Sequence, residues 1–567
     1  MFNILYPTEN MVKIYCENTG KEISVPMGTL LKDLIPSDGK YLAVLVDNKL
    51  KSLDYKIINK QNIRFVDYSH PDGRRTYIRS LCFVLQKVVH EMFPDKILCI
   101  DYSLPSGLYC EIRERTMMED GRPQVCFVTD EELDEIHQRM QQIIDSDLPF
   151  VKKVTPHDEA VALFEANSQW EKVNLLKSIG RFYYNVYWLD GLADTFYGPL
   201  TSSTGCLNIF DVTGFNDGFL LQYPMDGNPG RVLPMKRQSK LATALEEHSD
   251  WCSVMGVKGV GTLNRKVLAG DVVELINLSE ALHERKYAEI ANQIYARRGS
   301  VKIVFIAGPS SSGKTSTSKR LSIQCRILGL NPKVIELDNY FVDRELTPRD
   351  ENGEYDFEAL GAMDLKFLSQ QLNDLLDGKE VEIPRFDFKH GKRYFNGNMM
   401  QLHEKDILIM EGIHALNPAM IPEVDSSKVF RVYASALTSL SIDENNNIST
   451  SDNRLLRRMI RDNRTRGVLP EETIMRWQSV RRGENRNIFP YQENADALFN
   501  SAHIFELPVL KYYAEPLLRR ISPNSPAYTE ATRLLKFLDY IVALSPSEIA
   551  SVPPTSILRE FIDGQTL

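Results

Sequence analysis

Near the middle of the chain an apolar stretch, Val301 to Ala307, runs directly into Gly308-Pro309-Ser310-Ser311-Ser312-Gly313-Lys314-Thr315, and a helix-like sequence follows from Ser316. A glycine, four residues, then glycine, lysine and threonine make a phosphate loop. The glycines let backbone N–H groups turn inward around an anion, and the helix N-terminus adds positive potential. Lys314 can reach the outer phosphates of a nucleotide, and the Thr315 hydroxyl can ligate magnesium. The plainer reading is a Gly/Ser-rich turn that holds no ligand. The loop alone leaves open whether a bound nucleotide is hydrolysed, used as a switch, or spent in phosphate transfer.

Around this loop strands alternate with helices. VKIVFIAG, a helix after Gly313, KVIELD, a helix around LKFLSQQLNDLLDG, ILIMEG and KVFRVYAS predict a parallel sheet wrapped by helices over residues 300–525, with a helical tail at 526–567. The strand Lys333 to Leu337 delivers Asp338 beside the expected phosphate site. A carboxylate there can accept a proton from an attacking hydroxyl, although an aspartate after a strand is more often a cap or turn residue.

The segments LDNYF, YDFEALGAMD, EIPRFDFKHGKR and ILIMEGIHAL follow the loop in an order that resembles the uridine kinase (uridine–cytidine kinase) family of P-loop phosphotransferases, over about residues 300–520. The resemblance implies an ATP- and Mg2+-dependent enzyme that transfers the γ-phosphate to the 5′-hydroxyl of a pyrimidine nucleoside. It implies that Gly308, Pro309, Ser310, Ser311, Ser312, Gly313, Lys314, Thr315 and Ser316 cradle ATP, with Lys314 also catalytic. Asp338 becomes the catalytic base at the acceptor hydroxyl. Glu358, where the family has aspartate, would hold the ribose. Thr315 and Glu411 would hold the magnesium. The family's base-recognition motif, P-x-Y-D-F-x-x-H-x-R, matches Pro384, Asp387, Phe388 and Arg393. Phe386 stands at the tyrosine and Gly391 at the histidine, with His390 one place earlier. Phe386 and Phe388 are the expected rings against the base, and two polar contacts to it are missing. A site that reads a base by hydrogen bonds loses discrimination when those groups go.

Ten arginines fall between 454 and 486. Within them, Arg457 to Gly467 is similar to the family's arginine lid, R-R-x-x-R-D-x-x-x-R-G. On that resemblance Arg458 contacts substrate, Arg461 assists transfer and Arg466 approaches the ATP phosphates, while Val468 replaces the next arginine. Arginine's planar, permanent charge suits phosphate oxygens. A solvated charged face accounts for other arginines of the run, and an RNA-binding face competes, though only Trp477 interleaves it.

A chain of 567 residues exceeds what one core usually organises, so three or four domains are expected. Residues 1–69 include a strand-rich stretch at 11–68 that resembles the TGS domain, a β-grasp fold. Residues 70–225 resemble the α+β editing domain of threonyl-tRNA synthetases, on RSLCF and on Tyr197 to Gly205. The four positions of that family's metal-type site fall on Arg79, Phe83, Phe196 and Leu200, none able to ligate a metal or activate water. The front half is therefore a binding platform, for RNA or another ligand, or a scaffold. Residues 226–299 read as a connector.

With 67 basic and 76 acidic residues, net −9, the chain has no general basic coat for nucleic acid. It has no apolar run of about 18 residues, no basic-then-apolar leader, and eight cysteines without a C-x-x-C pair. A cytoplasmic protein without membrane partners is expected, with self-association left open. Two alternatives to nucleoside phosphorylation remain: a kinase of another small alcohol, and an RNA-binding regulatory ATPase.

Overall fold

The computed structural model describes residues 11–567 apart from 38, 118–122, 226–227, 350–352, 354 and 388. Five parallel strands form its central sheet, in the order Asn331–Glu336, Asp406–Glu411, Ile303–Ala307, Val429–Ser435 and Ala497–Asn500. The middle strand is buried at every position, as a parallel strand covered on both faces requires. Its side chains alternate between two cores. Ile303, Phe305 and Ala307 join Leu408, Met410 and Tyr433, whereas Val304 and Ile306 join Ile409, Val432 and Leu321 of the loop helix. That period of two fixes the register and delivers Gly308 and Glu411 to the same end of the sheet. The expected α/β architecture is present.

Residues 226–299 differ from the connector expected of them. Helices Ser239–Val254, Val260–Ala269 and Val272–Ala296 occupy this stretch, and Val260, Leu263, Val272 and Ile276 lie in the largest core. Glycines of this stretch serve the helices. Gly259 stands before the second, and Gly270, at φ +83°, closes it. Val272–Ala296 then packs along the loop helix Lys314–Ile327.

The front of the chain holds a five-stranded mixed sheet in the order Lys21–Pro26, Met11–Cys16, Gln61–Val66, Ala43–Val46, Lys49–Lys51, with Met11–Cys16 and Gln61–Val66 parallel. Lys49–Lys51 is a short edge strand. Asp47 and Asn48 both take positive φ (46° and 59°), which closes a two-residue hairpin onto it. The helical piece of this module is a single 3-10 turn, Leu31–Leu34.

Beyond it, helix Pro71–Met92 packs on a sheet built from Lys96–Leu104, Gly107–Met117, Gly218–Gln222 and Asp211–Phe215. Helix Asp130–Asp145 opens on Thr129, whose hydroxyl accepts the Glu132 N–H (3.2 Å) while Glu132 accepts the Thr129 N–H (2.8 Å). A hairpin from the carboxy-terminal half, Ser441–Asp443 with Asn446–Asn447, is set into this module. The Ile100 N–H donates to the Glu444 carbonyl (2.8 Å), the Asn445 amide to the Leu98 carbonyl (2.9 Å) and the Asn446 amide to the Thr195 carbonyl (3.3 Å). Fully buried Lys172 pairs with Asp194 and lies 3.9 Å from Asp443.

The eight cysteines are unpaired, and six of them are buried. Among the described residues no helix is long and apolar enough to cross a membrane.

Candidate active site

Gly308 leaves the central strand so close to its neighbour that a Cβ would meet the Ala434 carbonyl oxygen at 1.9 Å. Ser311 (φ 58°) and Gly313 (φ 79°) take left-handed backbone, which curls the loop before helix Lys314–Ile327 begins. Pro309, Ser311, Ser312 and Ser316 are buried, and Ser310, Lys314 and Thr315 are partly open. The Lys314 ammonium folds back to the Pro309 carbonyl (3.3 Å). The Thr315 hydroxyl donates to Glu411 (2.6 Å), so the two residues expected at the magnesium meet. Burial pushes the Glu411 carboxyl up to about 7, against the pull of Lys314.

Two of the loop's N–H groups already face carboxylates. Ser310 donates its N–H to Glu484 (2.9 Å). Ser316 donates its N–H (3.3 Å) and hydroxyl (2.6 Å) to Glu560, and the Gln565 amide donates to the Ser316 oxygen (2.7 Å). Ile557 covers Gly313, where a Cβ would lie 2.4 Å from its methyl group. Residues expected as a plain helical tail thus close over the phosphate loop.

Asp338 is the second residue of the 3-10 turn Leu337–Tyr340, half-buried, and its carboxylate accepts no hydrogen bond among the described residues. Burial raises its pKa, Lys314 and Arg466 oppose that rise, and Glu336 adds to it. The next residue, Asn339, accepts the Phe386 N–H (3.2 Å), and the Phe341 and Phe386 rings meet at 5.8 Å and 62°. Glu358 is pushed up to about 7, first by burial and then by Glu484, with Arg458, Lys314 and Asp338 also within electrostatic reach. Gly483 makes this packing feasible, since a Cβ there would stand 2.4 Å from the Glu358 Cβ.

The base-recognition segment is only partly assembled for recognition. Gly391 takes φ +69° against Arg344, whose Cβ would lie 2.7 Å from an added Cβ, so the histidine of the motif does not fit this backbone. His390 is exposed and paired with Asp387, and Arg393 pairs with Asp364 (2.9 Å). Phe388 lies outside the described residues.

The arginine helix Thr450–Arg466 docks on the loop. Arg458 donates to the Ser310 hydroxyl (2.8 Å). Arg461 lies between Asp462 (3.1 Å) and Glu560 (3.7 Å), and Arg466, mostly exposed, reaches Asp462 (3.3 Å). One buried carboxylate, Asp462, therefore gathers all three expected lid residues, Arg458 included at 3.3 Å. A solvated face is the wrong description for Arg454 and Arg457, which are fully buried. Arg454 grips Glu484 with both nitrogens, and Arg457 binds Glu506 and the Ser501 carbonyl.

Sequence reasoning missed Glu484, Glu560, Asp462, Asn339 and Phe341. Glu484 carried a faint signal, as a lone acid three residues after Arg481, whereas nothing local marks Glu560. The four front-half positions, Arg79, Phe83, Phe196 and Leu200, do converge. Phe83 and Phe196 meet edge to face at 5.3 Å, and Arg79 donates to the Pro199 carbonyl (2.7 Å). No group of three or more His, Cys, Asp or Glu able to hold a metal occurs among the described residues.

Residues 303–506 match the model of the phosphoribulokinase / uridine kinase family. The chain is 31% identical over 198 residues to the uridine kinase of Macrococcus caseolyticus, covering 35% of this chain and 86% of that one. It is 29% identical over 197 residues to the uridine kinase of Staphylococcus aureus strain JH9, with the same coverage. Among solved structures, the D-glycerate 3-kinase of Cryptococcus neoformans aligns at 13% identity with a TM-score of 0.21, over 45% of this chain and 87% of that one.

Proposed function

Through residues 303–506 this chain belongs to the phosphoribulokinase / uridine kinase family and is a phosphotransferase; on that premise we propose that it transfers the γ-phosphate of ATP to the 5′-hydroxyl of a pyrimidine nucleoside. One observation carries the reading. The carboxyls of Asp338, Glu358 and Glu411 all titrate under the influence of the same Lys314 ammonium, so loop, base candidate and metal candidate share one space.

The chemistry asked of these residues is mainly positioning and charge stabilisation. Asp338, half-buried and with no competing hydrogen bond among the described residues, accepts the proton of the acceptor hydroxyl. Its raised pKa strengthens it as a base while leaving it able to ionise. Lys314 swings from the Pro309 carbonyl to the transferring phosphate. Glu358 takes ribose hydroxyls, and Phe386 and Phe341 provide apolar faces for a base. A hydroxyl beside a carboxylate is a hard-oxygen donor pair that fits Mg2+, which binds proteins through few carboxylates plus phosphate oxygens. Thr315 and Glu411 would hold that ion, whose charge would neutralise the phosphate oxygens. Arg458, Arg461 and Arg466, aligned by Asp462, stabilise the charge spread over those oxygens. Glu560 gives up the Ser316 N–H and hydroxyl to the nucleotide's phosphates, which offer the same anionic oxygens.

Gly391 favours a second reading within the same chemistry. With the histidine of the base motif excluded, the acceptor could be another small alcohol such as a sugar phosphate. The front half is proposed as a TGS-like module and an editing-like module without editing chemistry. The strand order of the first, and the convergence of Arg79 with three apolar side chains in the second, support this.

The test is a transfer assay with the purified full chain, Mg-ATP, a nucleoside panel and a panel of small alcohols. Phosphorylation of uridine or cytidine is expected. Transfer only to a non-nucleoside alcohol moves the assignment to the second reading. ATP hydrolysis with no acceptor, stimulated by RNA, overturns both.

A further inference from the structure

A cavity of about 990 Å³ lies between the front half and the kinase lobe, apart from the phosphate loop. Its walls come from strand Gln61–Val66, helix Pro71–Met92, helix Pro470–Asn487 and helix Tyr528–Leu538. It unites two sequence features that the transfer chemistry leaves unused. One is the back of the arginine run, Arg481 and Arg482 beside Trp477. The other is the converged front-half cluster, through Arg79, Phe196 and Tyr197.

The charge in this cavity is unbalanced. Four carboxylates line it: Asp72, Asp452 and Glu530 are consumed by Arg75 and Arg533, and Glu17 stands exposed on the wall against the several guanidinium groups. Arg533 spans Asp452 and Glu530 at 2.7 and 2.6 Å, and Arg75 spans Asp72 and Glu530 at 2.7 and 2.9 Å. Burial raises the Glu530 carboxyl, but Arg533 and Arg75 outweigh it and hold it at about 2, so it stays an anion committed to them. Arg79 lies over the Tyr197 ring at 5.1 Å and, among the described residues, donates to the Pro199 backbone carbonyl and forms no ion pair. Arg64 and Arg482 are exposed to the cavity and form no ion pair among the described residues. A concentration of uncompensated guanidinium groups on a chain of net charge −9 calls for an anionic guest.

We propose that this cavity is a binding site for an organic triphosphate of nucleotide size, separate from the phosphate loop. Arg64 and Arg482 hold the phosphates, and the Trp477 and Tyr197 walls flank the organic part. The volume lies at the upper end of the roughly 300–1,000 Å³ of small-ligand pockets. Arg481 lines the same cavity and also donates to Glu484 (3.1 Å), which holds the Ser310 N–H (2.9 Å). A phosphate here therefore draws on a guanidinium that steadies the phosphate loop.

Equilibrium dialysis of the full chain with labelled ATP at low salt tests this. Two ATP per chain are expected. Lys314→Ala weakens the loop site and leaves the cavity site. The double variant Arg64→Ala/Arg482→Ala leaves loop binding and catalysis, and weakens the second site about tenfold or more, a loss of about 1.4 kcal/mol. Arg64→Lys/Arg482→Lys restores it to within a few-fold, and unchanged thermal melts show that both variants fold. A single ATP per chain, removed by Lys314→Ala, overturns the proposal, as does a second site indifferent to both arginines. So does binding of single-stranded RNA, in place of ATP, that depends on them. Loss of catalysis with both ATP sites intact in Lys314→Ala would count against the phosphate-loop reading and leave the cavity site standing.

Discussion

The Glu560 carboxylate accepts both the N–H and the hydroxyl of Ser316, at 3.3 and 2.6 Å, and so occupies the first turn of the phosphate-loop helix with negative charge. That charge complements the helix dipole as a phosphate would. Glu560→Gln keeps the shape and weakens the competition, so ATP affinity should rise about three- to tenfold, equivalent to roughly 0.7–1.4 kcal/mol. Calorimetric titration of the variant with Mg-ATP reads this directly. Weaker ATP binding would instead make the carboxylate part of the nucleotide site.

Among the described residues the Asp338 carboxylate accepts no structural hydrogen bond. Asp338→Asn should therefore cut transfer about 10²- to 10⁴-fold, the usual worth of a positioned base, while ATP binding stays within about twofold. Lys314→Ala should lose both. Parallel transfer and binding assays separate the two residues. A matching loss of ATP affinity in Asp338→Asn would assign that side chain to the loop's architecture.

The parallel sheet, the phosphate loop and the Thr315–Glu411 pair were legible because each is local: an apolar strand, a glycine-spaced turn, an acid at a strand end. The arginine run was legible as charge but not as position. Arg454 and Arg457 lie on the face of Thr450–Arg466 that meets Glu484 and Glu506, and burial of an arginine depends on an acid from another element. Glu560 was invisible for the same reason, its partner being reached only by the return of the tail. The helices of residues 226–299 were masked by glycines that end a helix rather than loosen a linker, as at Gly270.

Glu484 neutralises the buried Arg454 guanidinium and anchors the Ser310 N–H. Burial alone would raise its pKa, but Arg454 and Arg481 hold it below the usual range. Glu484→Ala leaves a buried cation uncompensated, for which about 3–5 kcal/mol of destabilisation is expected. Arg464→Ala, at a pair half in solvent, should cost under about 1 kcal/mol. Denaturant melts of the two variants compare them, and equal losses would refute the distinction.

Glu358 and Glu411 both have folded pKa values of about 7, raised mainly by burial from an ordinary 4.5. Between those values the folded state holds protons that the unfolded state has released. The unliganded protein therefore loses stability as pH rises from 4.5 through 7, and regains it on acidification. After allowance for solvent screening, each group is worth about 2 kcal/mol. Glu358→Gln should roughly halve this slope in melts recorded from pH 5 to 8. An unchanged slope would show that Glu358 titrates normally.

The inset hairpin at 441–447 spends the Asn445 and Asn446 amides and the Glu444 carbonyl on Leu98, Thr195 and Ile100. Excising the catalytic lobe at residue 300 would strip those groups of their mates and bare the wall against which they rest. Deleting the front modules is thus an amputation through a joint, and the enzyme has to be made and handled whole.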